Sequence, residues 1–287
     1  MPAHQPVYDP AWLDAQYNNR TQIPEHPQIF ERWRRASAHS REQANCVLDL
    51  SYGADASETL DVFPADGAAS PVMLFIHGGW WRAFDKSDHS FIAPSFVQDG
   101  AMVVLPNYAL CPAVTMDHIA LQMTRALAWT WRNAARYGGD ARRIVVAGHS
   151  AGGHLATMLL CCDWSMVDAD LPPRPVQGAL SISGLYDLEP LRQTPFLNVD
   201  LRLTPEAVGR LSPVHFPAPR GPLHAVVGAL ESDEFQRQTA LVREAWGGDA
   251  VPVCETIPGM HHLSVLHDLA DPAGRSHQLT LALMGLR

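Results

Sequence analysis

The sequence predicts an α/β fold in which helices cover both faces of a mostly parallel central sheet. Along the chain, segments typical of strands, either apolar throughout or alternating between apolar and polar residues, alternate with segments of helical periodicity. Several of these runs are apolar throughout, as expected for strands that are buried on both faces of a parallel sheet. Without an internal repeat or a dividing linker, the chain is expected to form one domain over residues 1–287.

The first half of the chain provides the start of this alternation. Residues 11–43 have helical character and are expected to form an N-terminal arm. Alternation in CVLDLSY and TLDVFP predicts half-buried strands, whereas VMLFI and AMVVLP predict buried ones. The apolar spacing from Asp117 to Tyr137 predicts a long helix that ends at Gly138.

The second half continues the pattern with one interruption. The strand candidates are RIVVAG, ALSISG, LHAVVG and VPVCETIPG, and EFQRQTALVREAWGG predicts a helix with a glycine stop. Residues 185–222 are rich in proline and fit the alternation poorly. We expect them to form a small cap insertion near the functional edge of the sheet.

Composition excludes several classes of protein. A formal net charge of −9 argues against a nucleic-acid partner, and the basic run RWRRAS is expected on a solvated helix face. The chain has no apolar stretch of the roughly 20 residues that a membrane helix needs, and its start lacks a signal-peptide pattern. Five cysteines without a CxxC pair suggest neither disulfides nor a zinc site. A cytoplasmic protein without membrane association is expected.

The segment IVVAGHSAGGHLATMLL contains the strongest chemical signal. Its residues Gly148-His149-Ser150-Ala151-Gly152 form a G-x-S-x-G motif between a predicted strand and a predicted helix. Small neighbours are needed where a nucleophilic serine occupies such a tight turn. A serine between glycines can also mark an ordinary turn, but this context favours Ser150 as a nucleophile.

The segment LFIHGGWWRAF supplies a partner for that serine. Attack on a carbonyl creates an oxyanion, which backbone N–H donors stabilise, and glycines allow the backbone to approach. We therefore predict an oxyanion hole made by the N–H groups of Gly79, Trp80 and Ala151. Trp80, Trp81 and Tyr108 are candidates for an aromatic substrate pocket, although ordinary core packing is an equal alternative for Trp81.

A general base and an acid are expected later in the chain. His261 and His262 follow the strand that ends near Pro258, on a loop that can reach the strand-to-helix turn at Ser150, called the elbow below. Three carboxylates, Glu231, Asp233 and Glu234, directly follow the strand LHAVVG, and residue type alone does not separate them. His149 and His154 beside the elbow are interpreted as packing residues.

Taken together, these motifs resemble one family of the α/β-hydrolase fold, the serine-dependent kynurenine formamidases (arylformamidases) and their bacterial esterase-like relatives. The similar segments are HGGWW, NYALCPAVTM, AGHSAGGHLA, ESDEFQRQ and MHHLSV, which span about residues 74–266. The resemblance implies a triad of Ser150, Glu231 and His262. It implies no cofactor and no metal, because the His-rich motif of metal-dependent formamidases is not found.

The acid position departs from the vertebrate pattern Asp-Ser-Pro-Glu-Phe, since this chain has Glu231-Ser232-Asp233-Glu234-Phe235. Asp233 is a rival, but Ser232 is a good helix N-cap, so Asp233 would fall in the first turn of a helix. That position gives Asp233 a structural role without catalysis.

The resemblance implies hydrolysis of an N-formyl arylamine, such as N-formyl-L-kynurenine, to formate and free amine. A carboxylesterase acting on short-chain or aryl esters is the alternative, because the same triad serves both reactions. A noncatalytic binding protein of the same fold is a third possibility from another class. A small-molecule substrate is expected and neither a nucleic-acid nor a membrane partner is; a homo-oligomer is compatible with the sequence.

Overall fold

The computed structural model describes residues 8–286 of the domain predicted over residues 1–287, and residues 1–7 and 287 lie outside the described part. Eight strands form one sheet in the order β1-β2-β4-β3-β5-β6-β7-β8. Strands β3 to β8 run parallel, and β1 and β2 add an antiparallel edge next to β4. The predicted mostly parallel sheet is thus confirmed. The strands are β1 Val47–Ser51, β2 Thr59–Phe63, β3 Ser70–Ile76, β4 Met102–Pro106, β5 Gly139–His149, β6 Val176–Ile182, β7 Leu223–Gly228 and β8 Val253–Ile257.

Helices cover both faces of this sheet, and short 3-10 turns occur in the connections. The longest helices are α3, α5 and α10, and α10 contains a break at Gly247, where φ is 81°. The α-helices are α1 Pro10–Tyr17, α2 Asn19–Gln22, α3 His26–Gln43, α4 Ala93–Gln98, α5 Met116–Asn133, α6 Ala151–Cys161, α7 Glu189–Arg192, α8 Pro195–Leu201, α9 Pro205–Leu211, α10 Asp233–Ala250, α11 Val265–Ala270 and α12 Arg275–Met284.

The apolar core is divided by the sheet into two layers. Along β3, Val72, Leu74 and Ile76 face one layer, whereas Met73 and Phe75 face the other. This division follows from the period of two of a strand, which sends successive side chains to opposite faces. All five side chains are at most 1 % exposed, so β3 lies at the centre of the fold.

The predicted arm contains α1, α2 and α3, and the proline-rich residues 185–222 contain α7, α8 and α9. Helix α1 contacts α8 and α10, while α3 contacts the 3-10 turns that follow β3. Both segments contribute side chains to the cavity described below. In the described part of the chain, every helix is too short or too polar to span a lipid bilayer.

The order of the strands indicates which edge of the sheet carries the site. The chain passes from β3 to β4 on one side and then to β5 on the other, so β3 and β5 flank a topological switch point. Ligand sites of open parallel sheets lie at the carboxyl ends of the strands next to such a point. The loops that follow β3, β5, β7 and β8 carry the predicted catalytic and oxyanion-hole residues, and Tyr108 follows β4.

Candidate active site

Ser150 lies in a tight turn between β5 and α6. Its backbone has φ 55° and ψ −119°, a conformation that costs a non-glycine residue about 1–3 kcal/mol and persists only where the surroundings impose it. The N–H of Ser150 donates to Ile182 O at 2.8 Å. The carbonyl of Ser150 accepts from the N–H of His154 at 3.1 Å, so α6 begins directly at the serine.

The two glycines of the G-x-S-x-G motif are required by this turn. A Cβ on Gly148 would lie 2.1 Å from Gly152 O, and one on Gly152 would lie 2.0 Å from Ile76 O. Both distances are far below van der Waals contact with backbone that cannot move away. The two glycines of the motif are therefore needed for the close packing of the turn against α6 and β3.

The loop after β3 has an unusual backbone. Gly79 has a φ of 107°, and Trp80 and Trp81 both have a φ of 54°. A Cβ on Gly78 would lie 2.8 Å from His149 O and 3.2 Å from Ser150 Cβ, so this loop touches the elbow. The glycines allow that approach.

The predicted oxyanion donors face no competing backbone acceptor. Within residues 8–286, the N–H groups of Gly79 and Trp80 take no part in the hydrogen bonds of loops and turns. Ala151 is the first residue of α6, where an N–H has no acceptor inside its own helix. Within residues 8–286, these three N–H groups therefore have no protein acceptor, and they stay the predicted oxyanion donors.

The loop is supported from behind by Tyr108. Its hydroxyl donates to His77 O at 2.9 Å, with Gly78 O at 3.3 Å, and its ring stacks on the His77 imidazole at a centroid distance of 4.3 Å. Asn107 Oδ1 lies 3.3 Å from His77 Nε2. Burial lowers the pKa of His77, which keeps the imidazole neutral between these partners.

Two of the predicted pocket residues need correction. Trp81 and Tyr108 do not line the cavity; both are buried, at 0 % and 1 % exposure. Trp80 lines the cavity, whereas the next residue, Trp81, points into the core, where its ring lies edge-on to His154 at 5.1 Å. Successive residues of the loop direct their side chains to different sides, and the sequence does not indicate which side is which.

An acid and a base meet beside the elbow. Glu231 Oε2 lies 2.6 Å from His262 Nδ1, and both side chains are buried. The other carboxylate oxygen, Oε1, accepts from Ser183 Oγ at 2.5 Å and from the N–H of Gly228 at 2.7 Å. The loop after β7 thus presents a carboxylate to the loop after β8.

The neighbouring acids have other positions. Asp233 is exposed in the first turn of α10, behind Ser232 at the N-cap position. Glu234 is buried, accepts from the Tyr17 hydroxyl at 2.6 Å and pairs with Arg237. Of the three carboxylates considered from the sequence, Glu231 is the one that contacts His262.

His261 turns away from the acid and supports its own loop. Its Nδ1 accepts from the N–H groups of Leu263 at 3.2 Å and Ser264 at 3.1 Å. The structure therefore separates the two adjacent histidines, and His262 is the one paired with a carboxylate.

Sequence reasoning missed two residues that hold this pair. His149, interpreted as a packing residue, lines the cavity, and its Nε2 lies 2.8 Å from His262 O. Burial, together with the nearby His262, lowers the pKa of His149 well below its usual value, so its neutral N–H can donate to that carbonyl. Ser183 carries no motif in the sequence, but it directly follows β6, so like the other site residues it lies at the carboxyl end of a strand.

A cavity of about 430 Å³ opens beside Ser150, in the size range of pockets for small organic molecules. Its wall includes the elbow, the loop after β3 and His262, and also the arm and α8. Five aromatic residues lie in this wall: Phe30 and Phe84 are edge-to-face at 4.8 Å, Trp33 is 6.2 Å from Phe84, and Trp80 and Phe196 complete the set. The lining residues are Asn18, Asn19, Arg20, Phe30, Trp33, Gly78, Gly79, Trp80, Arg82, Ala83, Phe84, His89, His149, Ser150, Phe196, Asp200, His262 and Leu263.

Within residues 8–286, no three His, Cys, Asp or Glu side chains are grouped so that they could hold a metal ion. The groups at the cavity instead suit acyl transfer, which needs a nucleophile, a base with an orienting acid, and donors for an oxyanion. Together, the fold and these groups define the class of α/β-hydrolase-type serine hydrolases.

Comparison with known proteins narrows this class. The family model described as BD-FAE matches residues 60–187. Kynurenine formamidase from Danio rerio is 30 % identical over 255 residues, covering 86 % of this chain and 84 % of the relative. The enzyme of the same name from Salmo salar is 30 % identical over 257 residues, with the same coverage. The chain therefore belongs to the kynurenine formamidase family of α/β-hydrolases and is a hydrolase.

Esterases are also among the similar proteins. Esterase LipQ from Mycobacterium tuberculosis is 31 % identical over 252 residues, covering 77 % of this chain and 58 % of the relative. A solved structure of a putative thioesterase from Silicibacter sp. TM1040 has 31 % identity and a TM-score of 0.81, covering 93 % of this chain and 98 % of that one. An esterase of Pyrobaculum calidifontis, at 17 % identity and a TM-score of 0.68, shares the fold.

Proposed function

We propose that this hydrolase cleaves the formamide of N-formyl arylamines, N-formyl-L-kynurenine among them, to formate and free amine. The observation that carries the proposal is the similarity to kynurenine formamidases over 86 % of the chain. An aromatic cavity beside Ser150 supports an aryl substrate, because flat rings bury a large apolar area against one another.

In the proposed mechanism, Ser150 Oγ attacks the formyl carbon while His262 accepts the serine proton as general base. The developing oxyanion accepts hydrogen bonds from the N–H groups of Gly79, Trp80 and Ala151. Glu231 holds the His262 ring in orientation and stabilises its protonated form.

His262 then donates its proton to the departing aniline nitrogen, and the C–N bond breaks. A water molecule, deprotonated by the same histidine, attacks the formyl-enzyme and releases formate with regeneration of the serine. An aniline nitrogen leaves more readily than an alkyl amine, so a site of the esterase type can perform this cleavage.

Hydrolysis of short-chain or aryl carboxylic esters is the second candidate function. It is supported by the similarity to LipQ and to the thioesterase structure, and it needs the same groups at the cavity. A formyl group carries no alkyl chain, so the room that the cavity leaves for larger acyl groups separates the two functions.

The decisive experiment compares kcat/KM for N-formyl-L-kynurenine with that for p-nitrophenyl acetate and p-nitrophenyl butyrate. We expect the ratio of kcat/KM to the uncatalysed rate constant of hydrolysis to be larger for the formamide than for either ester. Preference for the esters, with negligible turnover of the formamide, would establish the carboxylesterase instead.

A fluorophosphonate probe tests whether the chain is an enzyme at all. Labelling should occur at Ser150 and disappear in Ser150→Ala, which should also lose turnover by about ten-thousandfold or more while remaining folded. An unlabelled wild-type protein would point to the noncatalytic binding protein.

We also propose that the protein is cytoplasmic. All five cysteines are free thiols, which supports this location because disulfides are rare in the reducing cytosol.

A further inference from the structure

Three charged side chains, Arg20, Arg82 and Asp200, line the cavity, and two of them compensate each other. Arg82 Nη1 lies 2.5 Å from Asp200 Oδ2 and 2.7 Å from Phe196 O, so Arg82 and Asp200 form a closed pair. Arg20 has no carboxylate partner within residues 8–286. The lining therefore carries one uncompensated positive charge.

Arg20 is positioned by the turn between α1 and α2. Asn18 caps α2 through its side-chain oxygen, which accepts from the N–H of Thr21 at 3.3 Å, and Asn19 is 7 % exposed. The Arg20 guanidinium carbon lies 5.9 Å from the centroid of the Phe30 ring, which itself lines the cavity. Arg20 is thus a solvent-accessible cation at the side of the aromatic wall.

An exposed arginine is most often simply solvated, and two observations distinguish Arg20 from that case. It lines the same cavity as Ser150, and no carboxylate within residues 8–286 pairs with it although the chain has a formal net charge of −9. A planar guanidinium matches the geometry of a carboxylate, with which it can form paired charge-assisted hydrogen bonds.

We propose that Arg20 binds a carboxylate on the substrate and so selects formyl arylamines with an anionic tail over neutral ones. The inference deepens the proposed function and rests on it for the position of the formyl group at Ser150. N-Formyl-L-kynurenine fits this arrangement, since its aromatic ring separates the formamide from an amino-acid end that carries a carboxylate.

The test compares N-formyl-L-kynurenine with 2′-formamidoacetophenone, which keeps the formyl anilide and the ring ketone but lacks the amino-acid end. Both compounds are measured as substrates and as competitive inhibitors of p-nitrophenyl acetate hydrolysis. The variants are Arg20→Gln, which removes the charge, and Arg20→Lys, which keeps it. Arg35→Gln is the matched control, because Arg35 is exposed on α3 and does not line the cavity.

In Arg20→Gln we expect KM and Ki for N-formyl-L-kynurenine to rise about tenfold, as for loss of a hydrogen-bonded charge pair, with little change in kcat. Arg20→Lys should recover part of the loss, and Arg35→Gln should match the wild type. Values for 2′-formamidoacetophenone should stay constant in all variants. High salt should weaken the binding of the carboxylated compound to the wild type and to Arg20→Lys, but not to Arg20→Gln.

The proposal is overturned if Arg20→Gln weakens both compounds equally, which would indicate a structural role, or if it weakens neither. Failure of the proposed function would look different. The wild type would then turn over neither formamide, while the two inhibition constants would still report whether Arg20 recognises the carboxylate.

Discussion

Ser183 Oγ lies 2.5 Å from Glu231 Oε1, while the other carboxylate oxygen of Glu231 lies 2.6 Å from His262 Nδ1. The carboxylate is therefore bound on both sides, and the N–H of Gly228 adds a third donor. Because a carboxylate with fixed orientation also fixes the imidazole that it contacts, the loops after β6, β7 and β8 are coupled through one side chain.

Glu231→Gln should lower kcat by up to about ten-thousandfold, because the amide can stabilise neither the correct imidazole tautomer nor the imidazolium. Asp233→Asn is the control, since Asp233 is exposed on α10 and does not contact His262. It should keep its activity and cost about 1 kcal/mol of stability or less through the helix dipole. Steady-state kinetics and urea unfolding of both variants test this, and the reverse pattern would assign the acid role to Asp233.

Ser183→Ala should lower kcat by about tenfold with KM unchanged, because it removes one donor and leaves the other two contacts of Glu231 in place. Alanine tolerates the backbone φ of 51° at this position about as well as serine does, so the fold should survive. The measurement is kcat as a function of pH together with the melting temperature. Wild-type kcat at every pH would show that the hydroxyl has no positioning role.

Tyr108→Phe should reduce kcat several-fold without raising KM, because the lost hydroxyl holds the carbonyls of His77 and Gly78 behind the oxyanion loop. Tyr186→Phe is a matched control, since that buried hydroxyl contacts Ser181 Oγ at 2.8 Å and not the loop. Each substitution should cost about 1 kcal/mol of stability. Equal effects of the two variants on kcat would contradict the positioning role of Tyr108.

The elbow and the strand ends could be predicted because their signals are local. Gly148 and Gly152 are required by contacts a few residues away or with the adjacent strand, and Glu231 and His262 lie in the short loops after β7 and β8. The walls of the cavity could not be predicted in this way. The arginines of the run RWRRAS are exposed on a solvated helix face, as the sequence predicts, but Trp33 within the run is 2 % exposed and lines the cavity. Its burial depends on how α3 packs over the loop after β3, which is a tertiary contact.

Acid should destabilise the fold through buried neutral histidines. Burial lowers the pKa of His154 to about 4, while its Nε2 keeps a 2.7 Å contact with Leu211 O. Between the unfolded value near 6.5 and about 4, the unfolded chain binds a proton that the folded chain does not. The free energy of unfolding therefore falls as the pH falls through this window, by about 1.4 kcal/mol per pH unit for one such group.

His154→Gln should make that slope shallower by about one proton, because glutamine can still donate to Leu211 O but does not titrate. Urea unfolding at several pH values between 6.5 and 4.5 gives the slope for each protein. The overall loss of stability in the variant does not affect the comparison. Parallel curves for wild type and variant would show that His154 does not contribute to acid sensitivity.

Phe30→Ala should weaken aryl substrates selectively, because Phe30 forms part of the aromatic wall and lies 4.8 Å from Phe84. We expect KM for N-formyl-L-kynurenine to rise about threefold to tenfold, the range of one aromatic contact, while KM for N-formyl-leucine changes little. Both compounds carry a carboxylate, so any effect transmitted through the neighbouring Arg20 would appear in both and cancel from their ratio. Ile29→Ala is the control on the same helix: Ile29 is 3 % exposed in the core, so its truncation should cost about 2–5 kcal/mol of stability and leave the ratio unchanged. An aryl preference that survives Phe30→Ala would mean that α3 encloses the cavity without contributing to the choice of substrate.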